Sequence, residues 1–287
     1  MISHALALLV VLGFSPAAIA QNFHRDVIYD SDDRMELHEV RKPVSYFTAR
    51  ATVAFFSKDT LRDEGNGITT VLGDTYGEEN NLCVGERFYT QPAGAFCSGV
   101  LIAPDLVLTA GHCVDKVFCQ NTLFAIDYAI DAKDRNPREL QSSEIMECES
   151  VVKRHKVSKR LDFALIRLKS NSGHTPVNVS KEEIAEGQEL VLAGFPAGLP
   201  MKVVEGAKVQ KVGRLYAYAP LDAFGGNSGS PVVDARSGDL LGILVSGETD
   251  FEHVPGKGCN RVRHCNAGKC RGEEILKISK IMDALGD

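Results

Sequence analysis

Ala95-Phe-Cys-Ser-Gly-Val-Leu-Ile-Ala-Pro-Asp-Leu-Val-Leu-Thr-Ala110 reads as two short apolar runs broken by Ala103-Pro104-Asp105, and it delivers Gly111-His112-Cys113 at its end. Proline presets its own φ and aspartate bonds to nearby backbone, so the break is a turn and the runs are the two strands of a hairpin. Runs of the same kind recur downstream at Leu123 to Ile130, Ser150 to Arg154, Arg160 to Leu168, Leu190 to Phe195, Lys202 to Val212, Pro231 to Val233 and Leu240 to Gly247. With Gly and Pro turns between them and almost no helical periodicity, they indicate an all-β chain of antiparallel barrel architecture. Upstream, Tyr46 to Phe56 is the expected first strand, and the polar stretch 57–91 is expected to be a surface insertion with a short helix. Ile275, Ile278, Ile281, Met282 and Leu285 recur at intervals of three and four, which predicts a C-terminal amphipathic helix.

The chain is 44% hydrophobic and 24% charged with 26 glycines, which suits a loop-rich globular body. Its net charge of −6 has interspersed signs, so neither nucleic acid nor an anionic membrane surface is an expected partner. The apolar run Ala5 to Phe14 is too short to span a bilayer and leads to Ala18-Ile19-Ala20, the small-x-small pattern of a signal-peptidase site. A signal peptide over 1–20 and export are therefore expected, with no later membrane anchor. Eight cysteines in an exported chain imply four disulfides. Cys119 and Cys148 flank one hairpin and are expected to pair. Cys259, Cys265 and Cys270 beside His264 are also open to a zinc reading, although no His-Glu-x-x-His accompanies them.

Three segments carry chemistry. In Phe224-Gly-Gly-Asn-Ser-Gly-Ser-Pro231, Ser228 has small neighbours, so its hydroxyl and backbone N–H can face a substrate carbonyl together with the N–H of Gly226. His112 leaves an apolar strand between Gly111 and Cys113, and a neutral imidazole is the base suited to a serine hydroxyl near neutral pH. Asp162 heads an apolar strand, where a carboxylate needs a donor such as the His112 ring N–H.

Thr109-Ala-Gly-His-Cys113, Asp162-Phe-Ala-Leu-Ile-Arg-Leu168 and Gly226-Asn-Ser-Gly-Ser-Pro231 stand in the order His, Asp, Ser. From Val27 onward the chain thereby resembles chymotrypsin-fold (trypsin-like) serine proteases. Val27-Ile-Tyr-Asp-Ser-Asp-Asp-Arg34 and Gly225-Gly-Asn-Ser-Gly-Ser-Pro231 are most similar to the bacterial glutamyl endopeptidase branch. The resemblance implies two six-stranded antiparallel β-barrels, here 27–155 and 156–287, with a triad of His112, Asp162 and Ser228 in the cleft between them. It implies a disulfide between Cys97 and Cys113, peptide or protein substrates, no metal or cofactor, and processing at Val27 after a propeptide over 21–26. Asn227 stands where digestive relatives have the aspartate that receives a new N-terminus.

For residue preference, the resemblance makes Asp222 the floor of the primary pocket and places Leu244, Ser246 and Gly247 along its wall, with Glu248 at the mouth. Leu244 replaces the histidine of glutamate-directed relatives, so cleavage after Arg or Lys is expected, with glutamate as the alternative. A catalytically silent binding protein on the same fold is the main non-enzyme alternative, and no triad member is missing.

Overall fold

Six antiparallel strands close into a barrel in the order Asp162–Leu168, Leu106–Thr109, Ala95–Ala103, Thr52–Ser57, Thr122–Ala125 and Ile145–Lys156. The structure, a computed structural model, describes residues 28–156, 161–265 and 270–286. The expected signal peptide, the 21–26 propeptide and the processing point at Val27 lie outside the described residues. The expected hairpin is the Ala95–Ala103 and Leu106–Thr109 pair, with Val100 opposite Leu108. Inside the barrel, Phe55 meets Phe124 edge-on with centroids 4.9 Å apart, and both rings are fully buried. Burying such rings is the main drive for closure.

The second unit is a seven-stranded antiparallel sheet that curls as a half-barrel. Its order is Lys202–Lys208, Glu189–Gly194, Pro231–Asp234, Leu240–Ser246, Glu273–Lys277, Tyr216–Ala219 and Lys211–Val212. The chymotrypsin-like fold expected from the sequence is therefore present, with one unit closed and the other an open sheet rather than a second six-stranded barrel. Exposed Lys208 and Lys211 place charge on its outer strands, which disfavours further strand pairing. The first barrel also runs to Leu168, past the expected boundary at residue 155, because Asp162–Leu168 pairs on both sides with first-unit strands.

Two elements differ from their sequence patterns. Residues Pro43–Arg50 form a helix, so the first strand is only Thr52–Ser57 and not the whole run from Tyr46. Pro43 at the first turn is preorganised for a helix, and the Thr48 hydroxyl bonds back to the Val44 carbonyl at 2.8 Å. At the other end the amphipathic helix is Ile278–Leu285, closed by Gly286 at φ 95°, while Ile275 belongs to the Glu273–Lys277 strand. The 57–91 segment holds the strands Leu61–Asp63 and Ile68–Val71 and the short helix Tyr76–Glu79, whose Thr75–Glu78 capping box ties its start.

The cysteines form four disulfides, Cys97–Cys113, Cys119–Cys148, Cys83–Cys259 and Cys265–Cys270. The first two are the expected pairs. The zinc reading of Cys259, Cys265 and Cys270 fails, since each of these sulfurs is covalently paired. Cys83–Cys259 closes 176 residues and fastens the 57–91 segment to the second unit. A loop of that length corresponds to roughly 5 kcal/mol on the chain-entropy account. The Cys83→Ser/Cys259→Ser double variant should lose about 3–5 kcal/mol in urea unfolding under non-reducing conditions. An unchanged unfolding midpoint would show that this bond constrains little.

Candidate active site

His112 lies in a single helical turn, Gly111–Cys113, directly after the Leu106–Thr109 strand. Asp162 heads the neighbouring Asp162–Leu168 strand, and both of its oxygens receive His112: Oδ1 takes the backbone N–H and Oδ2 takes Nδ1–H, each at 2.8 Å. A carboxylate only accepts, so this pairing keeps the ring proton on Nδ1 and leaves the Nε2 lone pair free to act as a base. Gly111 makes the approach feasible, because a Cβ there would stand 2.0 Å from the His155 carbonyl and 2.9 Å from Asp162 Oδ1. Arg154 Nε donates to the Gly111 carbonyl at 2.8 Å and holds the turn in place.

Ser228 reaches this turn from the second unit. Its carbonyl accepts the Ser98 N–H at 2.9 Å and lies 3.6 Å from Cys113 Sγ. The serine loop is thus bonded to Ser98 and lies against the disulfide-braced residue next to His112. Among the described residues, Ser228 Oγ makes no hydrogen bond to His112; such contacts often tighten only with substrate.

Within the loop, the amides of Gly225, Asn227, Gly229 and Ser230 donate to Asp250 Oδ2 and to the carbonyls of Phe224, Leu244 and Asn227. Among the described residues, the N–H groups of Gly226 and Ser228 have no protein acceptor. Gly226 has φ 91°, and a Cβ on it would sit 2.5 Å from the Phe195 carbonyl, so glycine is required there. Beside it opens a cleft of about 450 Å³ lined in part by Gly225, Gly226, Ala197, Phe96 and Asp250. Asn227 is buried against Gly194, with Ser230 Oγ 3.4 Å from its Oδ1.

The residues expected to form the specificity pocket are placed differently. Asp222 is 2% exposed, and its oxygens accept the N–H groups of Tyr29 at 2.8 Å and Asp33 at 3.1 Å. It is not an open floor: residues about 190 positions earlier in the chain cover it. Burial, reinforced by the Asp33 carboxyl beside it, pushes its pKa up to about 8. Leu244 is buried in the second unit's core with Leu221 and Ala223 rather than lining a cleft, while Ser246 and Gly247 are exposed. Glu248 has a mostly buried side chain, with Arg271 Nε 3.7 Å away.

Several residues at the site carried no recognisable sequence signal. Glu273 is fully buried, accepts the Tyr29 hydroxyl at 3.0 Å and lies directly against Gly247. Burial raises its pKa well above the carboxylate range. Arg34 is buried in a two-bond ion pair with Asp32, and its guanidinium lies 4.2 Å from the Phe224 ring centroid. Of the possible metal-ligand groups, Cys97, His112 and Cys113 include a disulfide, and in Asp127, Glu144 and His174 the Arg50 guanidinium already pairs with Asp127.

The profile of the trypsin-like peptidase domain family matches residues 97–243. Among solved structures, the chain is similar to a Glu endopeptidase in complex with MPD, at 16% identity and TM-score 0.51, covering 91% of this chain and 100% of that one. It is also similar to the active form of the Rv3671c protease from M. tuberculosis, at 17% identity and TM-score 0.51, covering 97% of this chain and 93% of that one. At these identities the likeness is one of fold. No curated protein sequence matches the chain.

Because Asp222 titrates near 8 in the fold against 3.8 for an ordinary aspartate, the folded chain keeps a proton that the unfolded chain has lost between those values. Its contribution to stability is therefore greatest at the acid end of that window and declines as pH rises towards 8. Urea unfolding at pH 5 and pH 8 should show a loss of stability that is smaller in Asp222→Ala. An identical pH dependence in the variant would contradict the raised pKa.

Proposed function

Since the chain belongs to the trypsin-like peptidase family, we propose that it is a serine endopeptidase whose triad is His112, Asp162 and Ser228. The observation that carries this reading is the pair of hydrogen bonds that His112 makes to the Asp162 carboxylate, on the turn whose Cys113 touches the Ser228 carbonyl. In the proposed reaction, Ser228 Oγ attacks the scissile carbonyl carbon as its proton passes to His112 Nε2. The carbonyl electrons move onto oxygen, which the N–H groups of Gly226 and Ser228 receive. When the intermediate collapses, the C–N bond breaks and the proton on His112 goes to the leaving amine. Water then repeats the sequence on the acyl-enzyme, and the acid product and free Ser228 result. Asp162 stays ionised, holding the ring and balancing the charge of the imidazolium.

The finer reading of residue preference is cleavage after Arg or Lys. It now rests on Glu248 and Glu273 beside Gly247 and on Asp222, which Tyr29 links to Glu273 by bonding to both, since a cation is the side chain that would let buried carboxyls ionise. Asp222 acts in this reading behind the Tyr29–Asp33 backbone rather than by direct contact. Export is likewise proposed, from Ala18-Ile19-Ala20 and the four disulfides. Among the described residues, no helix is long and apolar enough to cross a membrane.

Ser228→Ala, His112→Ala and Asp162→Asn should each lower kcat by about 10⁴-fold or more on a chromogenic peptide, and the triple variant should be scarcely worse, because the groups act as a unit. Losses that multiply would overturn the triad. On a peptide panel differing only before the scissile bond, kcat/KM for Arg and Lys should exceed that for Glu by about tenfold or more. The reverse order would establish a glutamate-directed enzyme.

A further inference from the structure

Asp250 stands just beyond the Leu240–Ser246 strand and directs its carboxylate at the serine loop, where Oδ2 accepts the Gly225 N–H at 2.8 Å. The contact is close: a Cβ on Gly225 would sit 3.1 Å from that oxygen. Gly225 is also held at its other end, since its carbonyl accepts the Ala197 N–H at 2.5 Å. The Phe224–Gly225 peptide is thus held through its N–H by Asp250, and the Gly225–Gly226 peptide that follows it is held through its carbonyl by Ala197. In a trans peptide the N–H points opposite the carbonyl of the preceding residue, so fixing the Gly225 carbonyl fixes the direction of the Gly226 N–H. That N–H has no protein acceptor among the described residues, and it borders the cleft that Asp250 helps to line.

We propose that Asp250 is a positioning residue for the oxyanion site: by holding the Gly225 amide, its carboxylate keeps the Gly226 N–H aimed at the substrate oxygen. The proposal rests on the serine-endopeptidase reading. It also fits the chain's departure at Asn227, whose side chain is buried against Gly194 and offers no carboxylate to brace the loop from within. A preorganised donor contributes in the transition state more than in the ground state, so loss of its aim should appear in kcat more than in KM.

The test compares Asp250→Ala and Asp250→Asn with the wild-type protein. Asp250→Ala should lower kcat by about ten- to a hundredfold with KM changed by less than about threefold. A substrate-like peptide aldehyde, whose adduct with Ser228 places an oxygen in the same site, should lose affinity by the same factor. Asp250→Asn retains a carbonyl acceptor and should stay within about threefold of wild type. Equal damage in both variants, a change confined to KM, or undiminished aldehyde affinity would overturn the proposal. Should Asp250→Ala fail to fold, the Asn variant and the Gly225 amide of the intact wild type decide: slow hydrogen exchange at that amide supports the proposal, and exchange at the rate of an open loop overturns it. A wild type inert to every peptide would instead refute the endopeptidase reading, and the amide measurement would still stand on its own.

Discussion

Ser98 is the point through which the two units meet at the site. Fully buried in the first barrel, it donates its N–H to the Ser228 carbonyl and its hydroxyl to the Gly226 carbonyl at 2.7 Å. Its Oγ also receives the Phe195 N–H at 3.2 Å, and its own carbonyl takes the Thr109 hydroxyl at 2.6 Å. One residue thus connects the strand leading to His112, the serine loop and the second sheet. Ser98 is itself fully buried, so losing one of these bonds leaves a buried polar group of its own unsatisfied, at a cost of about 1–3 kcal/mol. This junction sets His112 and Ser228 relative to each other, and in the proposed triad an imidazole displaced by about 1 Å is a poor base for the serine.

The N-terminal segment completes the arrangement from the far side. Ile28–Tyr29 pairs with His264–Cys265, Met35 bridges Val203, and between them Tyr29 and Asp33 cap Asp222. Arg34 sits over Phe224, four residues before Ser228, with its charge met by Asp32. Lys202, also buried, pairs with Glu36 at 3.1 Å, and burial pulls its pKa down to about 8. Buried pairs of this kind add little net stability when intact, yet removing one partner typically costs about 3–5 kcal/mol. Their effect is to give the segment one register, and through Asp222 and Phe224 that register is passed to the serine loop.

The fold was legible where chemistry restricts residue choice. A histidine between Gly111 and Cys113, an acid heading an apolar strand and a serine among glycines leave few alternatives, and the structure joins the first two by two hydrogen bonds. The Ala95–Thr109 hairpin was equally plain, since Pro104 and Asp105 permit little but a turn. Tyr46 to Arg50 misled because their aromatic and β-branched composition suits a strand while Pro43, just upstream, starts a helix. Asp222 misled for a different reason: its offset from Ser228 is a local pattern, whereas its environment comes from residues nearly two hundred positions away. Ser98, Glu273 and Asp250 gave no signal, because each acquires its role only from what tertiary contact places against it.

The central claim is that Ser228 is a nucleophile activated by His112. A serine-directed phosphonate tests it most directly, with the labelled residue located by mass spectrometry of the intact, disulfide-bonded protein. The account predicts one label per chain, on Ser228, absent after urea unfolding and reduced by orders of magnitude in His112→Ala. Labelling of another serine, or of Ser228 at the same rate with and without His112, would contradict it.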